Sequence, residues 1–77
     1  MSDSDVLDHD FGRIIQKARL KKGLTQEQLA KQLNEKVTLI KKFENGTLKP
    51  NETLAKKLGR ILAINLYINL NEDDDNN

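Results

Sequence analysis

Few side chains in this 77-residue sequence could carry covalent or metal chemistry. There is no cysteine, so no thiolate nucleophile, disulfide or cysteine zinc site is available. The one histidine, His9, sits in an acidic stretch and cannot build a metal site unaided. Glu27, Glu35, Glu44 and Glu52 fall on separate elements, a spacing that suits caps and ion pairs better than a paired-carboxylate site. Enzymatic activity is not expected, and neither a cofactor nor a small-molecule substrate is implied. What the sequence does supply is cationic chemistry. All 13 Lys and Arg lie between Arg13 and Arg60, against only those four glutamates, so the middle of the chain carries +9. Residues 1–10 and 72–75 hold four acids each, so the ends carry −8 and the formal net charge is only +1. A compact +9 body suits a polyanion, with nucleic acid the first candidate. Lys-rich helix faces also serve solubility alone. The acidic ends would compete with nucleic acid for the same surface.

The cations need elements to position them, and the clearest lie in residues 25–46, TQEQLAKQLNEKVTLIKKFENG. Thr25 and Gln28 form a T-x-x-Q capping box at the start of a helix. Leu29, Ala30 and Leu33 share one face of it, and Asn34 is suited to the left-handed turn that ends it. Ile40 and Phe43 recur at i, i+3 in a second helix that stops at Asn45-Gly46. Ala30 opposite Ile40 lets the two helices cross closely. The arrangement is a helix-turn-helix over residues 26–45.

Around it the pattern is mostly helical. Residues 1–10 have few apolar side chains and are expected to be disordered. Asp10 is a fair cap for a first helix from about Phe11 to Lys22, with Phe11, Ile14 or Ile15, and Ala18 inward and Gly23 as its stop. Leu24 can staple the next helix. After the Thr47–Pro50 loop, Asn51 caps a fourth helix from about Glu52 to Leu62, striped by Leu54, Leu58, Ile61 and Leu62. Gly59 inside it costs about 1 kcal/mol relative to Ala, which suggests close packing there. From Ala63 the period changes to strict alternation through Leu70, the mark of an extended, half-buried strand. With no second strand in a four-helix domain, it would lie along the helices, add to a partner's sheet edge or pair with its twin. The expected fold is all-α, a small bundle of four helices with an extended C-terminal segment. The domain spans 11–70, and an acidic disordered tail occupies 71–77. No membrane-length apolar run or signal-peptide pattern occurs, so a cytoplasmic protein is expected.

The run from Thr25 to Pro50 resembles the Cro/repressor-type helix-turn-helix, with T-Q-E-Q-L-A, F-E-N-G and the downstream proline in register. More narrowly, G-L-T-Q-E-Q-L-A, the turn N-E-K and P-N-…-L-G-R-I-L resemble the multiprotein bridging factor family over about residues 11–67. Most repressors have Gly plus an apolar residue where this chain has Asn34-Glu35, and the bridging factors share that departure. The resemblance implies a transcriptional coactivator linking a regulator to the TATA-binding protein, and some members associate with the small ribosomal subunit. Archaeal relatives usually carry an N-terminal zinc ribbon, so functions needing the ribbon do not carry over to this cysteine-free chain.

The resemblance also assigns residues. Arg19 and Glu44 match an ion pair between the first helix and the end of the recognition helix. Buried, it would cost roughly 3–5 kcal/mol to break; exposed, it would contribute at most about 1 kcal/mol. A recognition helix of this fold enters the major groove by its N-terminal end, here Lys36, Val37, Thr38 and Lys41, with Lys42 beside them. Gln26, Asn45, Thr47 and Lys49 match positions that face phosphates. Base readout uses Arg, Gln or Asn forks, and this helix has none before Asn45. Lysines contact phosphate, and Val37 or Thr38 could at most touch a thymine methyl. Backbone contact with weak sequence preference is expected, on double-stranded DNA or on ribosomal RNA. The other reading is a protein-interaction adaptor, docking a basal factor such as the TATA-binding protein, whose helix-turn-helix does not read DNA.

Overall fold

The computed structural model describes residues 5–69. A short strand, β1 (Asp5–Leu7), precedes four helices: α1 (Phe11–Lys21), α2 (Gln26–Leu33), α3 (Val37–Glu44) and α4 (Glu52–Leu62). A second strand, β2 (Tyr67–Asn69), closes the described chain. The helices carry the fold, as the periodicity predicts, and share one core. Phe11, Ile15 and Ala18 of α1 meet Leu29, Ala30 and Leu33 of α2, Ile40 and Phe43 of α3, and Ala55, Leu58 and Leu62 of α4. Leu66, 1% exposed, seals the bundle from the segment after α4.

Local sequence sets most boundaries. Thr25 Oγ1 accepts the Gln28 N–H at 3.0 Å while Gln28 Oε1 accepts the Thr25 N–H at 2.8 Å, completing the capping box. Asn51 Oδ1 caps α4 through the Leu54 N–H at 2.9 Å. Each helix then ends in a left-handed residue: Gly23, Asn34, Gly46 and Ala63, with φ of 71°, 58°, 79° and 58°. In every case the next N–H reaches five residues back, from Leu24 to Arg19, Glu35 to Ala30, Thr47 to Lys42 and Ile64 to Gly59. This is the Schellman closure of a helix end. Ala63 is the unexpected member, a residue with a Cβ in a conformation that favours Gly or Asn. Gly59 has the close packing its position suggested, because a Cβ there would lie 2.8 Å from the Ile64 carbonyl oxygen.

Four expectations need correction. Residues 5–7 of the stretch expected to be disordered form β1, which pairs antiparallel with β2 in the register Asp5 with Asn69, Val6 with Ile68 and Leu7 with Tyr67. The C-terminal strand therefore does have a partner within its own domain, supplied from some sixty residues upstream. Leu7 and Tyr67 pack on the core, and the Asp8 N–H extends the pairing to the Leu66 carbonyl at 2.7 Å. The strand itself is also shorter than the alternation suggested, starting at Tyr67 because residues 63–66 turn out of α4. Finally, Asp10 precedes α1 without capping it by its side chain. Asp8 Oδ1 instead accepts the Asp10 N–H at 2.9 Å, shaping the turn into the helix. Residues 1–4 and 70–77, and with them most of the acidic ends, lie outside the described residues.

Candidate nucleic-acid interface

The helix-turn-helix is positioned by one buried polar cluster at the end of α3. Arg19 Nε donates to Glu44 Oε2 at 2.6 Å and Nη2 donates to Oε1 at 3.0 Å, a fork-on-fork pair. Their side chains are 9% and 4% exposed. The third guanidinium nitrogen, Nη1, donates to the Leu24 carbonyl at 2.8 Å and so ties down the α1–α2 connection. Gln26 completes the cluster, its Nε2 donating to Glu44 Oε1 at 3.1 Å. A carboxylate only accepts, so the amide nitrogen is the end that faces Glu44. Arg19 is held charged even more firmly than usual, because its hydrogen bonds and charge attraction to Glu44 outweigh the desolvation that opposes them. One carboxylate thus joins α1, α2 and α3, with no buried side-chain nitrogen or oxygen left without a partner among the described residues.

Backbone packing reinforces the junction. A Cβ on Gly12 would lie 2.7 Å from the Glu44 carbonyl oxygen and 2.8 Å from that of Phe43. The start of α1 therefore lies directly against the end of α3. Any bulkier residue there would push apart the two helices that Arg19 and Glu44 join.

The outward face of α3 follows from this anchoring. Ile40 and Phe43 point into the core, so Thr38, Lys41 and Lys42 form the exposed side, with Asn45 one turn further on. Lys36 is the exposed N-cap residue and gives no side-chain cap, so no side chain occupies the amides opening α3. Val37 is half-buried and packs on the core, which leaves only part of it for a base methyl. Past α3, Asn45 Oδ1 accepts both the Thr47 N–H, at 2.9 Å, and the Thr47 hydroxyl. These two exposed side chains form a small turn of their own, and Lys49 is exposed beyond it. The structure thus gathers Thr38, Lys41, Lys42 and Asn45 on one exposed ridge, with Lys36 at its N-terminal end. It sets Gln26 apart from them, with one amide hydrogen spent on Glu44. That structural use of Gln26 carries no sequence signal, since its partner is 18 residues away. Gly12 was likewise not singled out, although a glycine in the first turn of a helix is a cue to close approach.

Lys41 and Lys42 make the ridge cationic, while Lys36 at its N-terminal end shares a hollow with Glu27 and Glu35; the ridge projects from a short helix held from behind at its C-terminal end. Lysine ammonium groups beside a helix N-terminus suit phosphate oxygens. No arginine fork or amide side chain stands among Lys36, Val37, Thr38, Lys41 and Lys42 to read a base edge.

Comparison with known proteins agrees with this architecture. The Helix-turn-helix family profile matches residues 15–68. Multiprotein-bridging factor 1 of Debaryomyces hansenii is 45% identical over 60 residues, covering 78% of this chain and 40% of that protein. Multiprotein-bridging factor 1c of Arabidopsis thaliana is 42% identical over 53 residues, covering 69% and 36%. Human endothelial differentiation-related factor 1 is 36% identical over 69 residues, covering 83% and 47%. The chain thus spans less than half the length of these curated relatives. Among solved structures, the clp gene regulator ClgR of Corynebacterium glutamicum superposes with a TM-score of 0.70 at 20% identity, covering 79% of this chain and 65% of that one. At that identity the likeness is one of fold. The chain belongs to the helix-turn-helix family, and within it its sequence is similar to the multiprotein bridging factors.

Proposed function

We propose that this domain is a transcription regulator or coactivator module of the bridging-factor type that contacts the DNA backbone through α3 with weak sequence preference. The observation that carries the reading is the exposed ridge of Thr38, Lys41 and Lys42, with Lys36 at the helix start, held by the buried Arg19–Glu44 pair. In this reading Lys36, Lys41, Lys42 and Lys49 meet phosphates, Thr38 and the exposed part of Val37 face the groove floor, and Asn45, Thr47 and the free amide hydrogen of Gln26 border the backbone. Lysine is a point charge rather than a fork, so these contacts fix register without selecting bases. The names of the relatives support the bridging role; a basal factor such as the TATA-binding protein is the partner this reading proposes. This is non-enzymatic binding, and a cytoplasmic location accords with it. Among the described residues no helix is long and apolar enough to cross a membrane.

The test is binding of the chain to several duplexes of unrelated sequence and to a structured RNA of equal length. Similar affinities across the duplexes, all weakening with salt, support the reading. A strong preference for one duplex contradicts weak specificity. Equal binding to structured RNA would move the function to generic polyanion or ribosomal contact through the same lysines.

A further inference from the structure

A second cationic surface lies away from α3. Two adjoining hollows, of about 320 and 350 Å³, flank the chain where it turns out of α4, and both are lined by Ile64. One lies between the C-terminal ends of α1 and α4, over Ala18 and Leu62. The other lies between α4 and the segment running into β2, over Ala55, Leu66 and Tyr67. Their cations are Lys21 and Lys22 on the first side and Lys56 and Arg60 on the second, all exposed. Among the described residues no carboxylate lines either hollow, although Lys56 also meets Glu52 at 3.1 Å. Neither hollow includes a residue of α2 or α3.

We infer that this groove docks an acidic peptide segment of a protein partner, one in which Leu or Phe side chains alternate with Asp or Glu. Ala18, Ala55, Leu62 and Leu66 are buried beneath the hollows, and the half-buried Ile64 and Tyr67 supply the apolar surface for a partner's apolar side chains. Cations on both sides set the sign of the partner's charge. A nucleic-acid backbone would use the cations and leave the apolar surface uncovered, which is why a peptide fits better. The inference rests on the bridging part of the proposed function and is independent of DNA contact by α3. A partner held here leaves Lys36, Lys41 and Lys42 exposed, so both could be engaged at once.

The experiment titrates the full chain with a labelled 16-residue peptide of alternating Asp and Leu with two Phe. The control peptide has each Leu and Phe replaced by Ser. Two variants run beside the parent protein: Lys21→Gln/Lys22→Gln/Lys56→Gln/Arg60→Gln for the groove, and Lys36→Ala/Lys41→Ala/Lys42→Ala for α3. The expected result is binding of the amphipathic peptide at least tenfold tighter than the Ser control. The groove variant should weaken it at least tenfold, and the α3 variant less than twofold. Amide shifts on the unmodified chain should move at Ile64 and Tyr67 and not at Thr38. Equal affinity for the Ser control, an equal loss in the α3 variant, or no binding overturns the proposal. Loss of duplex binding in the groove variant, with no peptide binding by the parent, would assign these cations to nucleic acid instead. Duplex binding measured on the parent alone reports separately on the DNA reading.

Discussion

The Arg19 guanidinium grips the Glu44 carboxylate with two parallel hydrogen bonds from a position 25 residues earlier in the chain. Through this pair the last residue of α3 is fixed to the first helix of the bundle. Gln26 adds α2 to the same carboxylate. Removing one partner strands a buried charge, so Arg19→Leu or Glu44→Leu should cost roughly 3–5 kcal/mol. Arg19→Lys should recover only part of it, since an ammonium cannot make the fork or also reach the Leu24 carbonyl. Because Arg19 is shifted upward, its own titration contributes stability that is present below its ordinary, strongly alkaline range and is lost as pH rises through the raised value. Urea denaturation of the three variants checks the ranking.

Gly12→Ala should destabilise the domain even though Ala is the better helix former. The added Cβ would meet two backbone carbonyl oxygens of α3, neither of which can rotate away. An overpacking cost of about 1–3 kcal/mol is expected. The same substitution should loosen the Arg19–Glu44 junction, read as faster amide exchange at the end of α3.

Two neighbouring substitutions should act in opposite directions at the end of α4. Ala63→Gly relieves a left-handed alanine and should stabilise by about 0.5–1 kcal/mol after the entropy of the added glycine. For a domain of this size that raises Tm by about 2–8 °C. Gly59→Ala should destabilise, because its Cβ would strike the Ile64 carbonyl oxygen. Thermal melts of the two variants decide the point.

The β1–β2 pairing makes a separate prediction. The Asp8 to Leu66 hydrogen bond and the alternation of antiparallel ladders make Val6 and Ile68 the next hydrogen-bonded pair. Val6→Pro removes that donor. It should raise amide exchange across residues 67–69 and leave α2 and α3 unchanged. A uniform rise through the helices would contradict a locally coupled sheet.

What the sequence revealed and what it hid divide along range. Thr25 with Gln28, Asn34, Gly46 and Asn51 signal through neighbours within a turn, and their capping or turn roles match expectation. Ala30, Leu33, Ile40 and Phe43 signal through helical period, and they are buried. β1 gave no such signal, because Asp5-Val6-Leu7 is ordered by a partner some sixty residues downstream rather than by its own composition. The hydrogen bond from Gln26 to Glu44 was hidden in the same way, since its partner lies 18 residues away at the far end of α3. Ala63 hid a left-handed turn because alanine normally continues a helix.

The central claim is that the lysines of α3 contact phosphate. The most direct measurement is the salt dependence of duplex binding for the parent chain and for Lys36→Ala/Lys41→Ala/Lys42→Ala. The log–log slope should be negative for the parent and should become shallower by about 0.9 for each phosphate that the variant no longer neutralises. Identical slopes, or no duplex binding by the parent near physiological salt, would contradict the claim and leave α3 as a surface for protein.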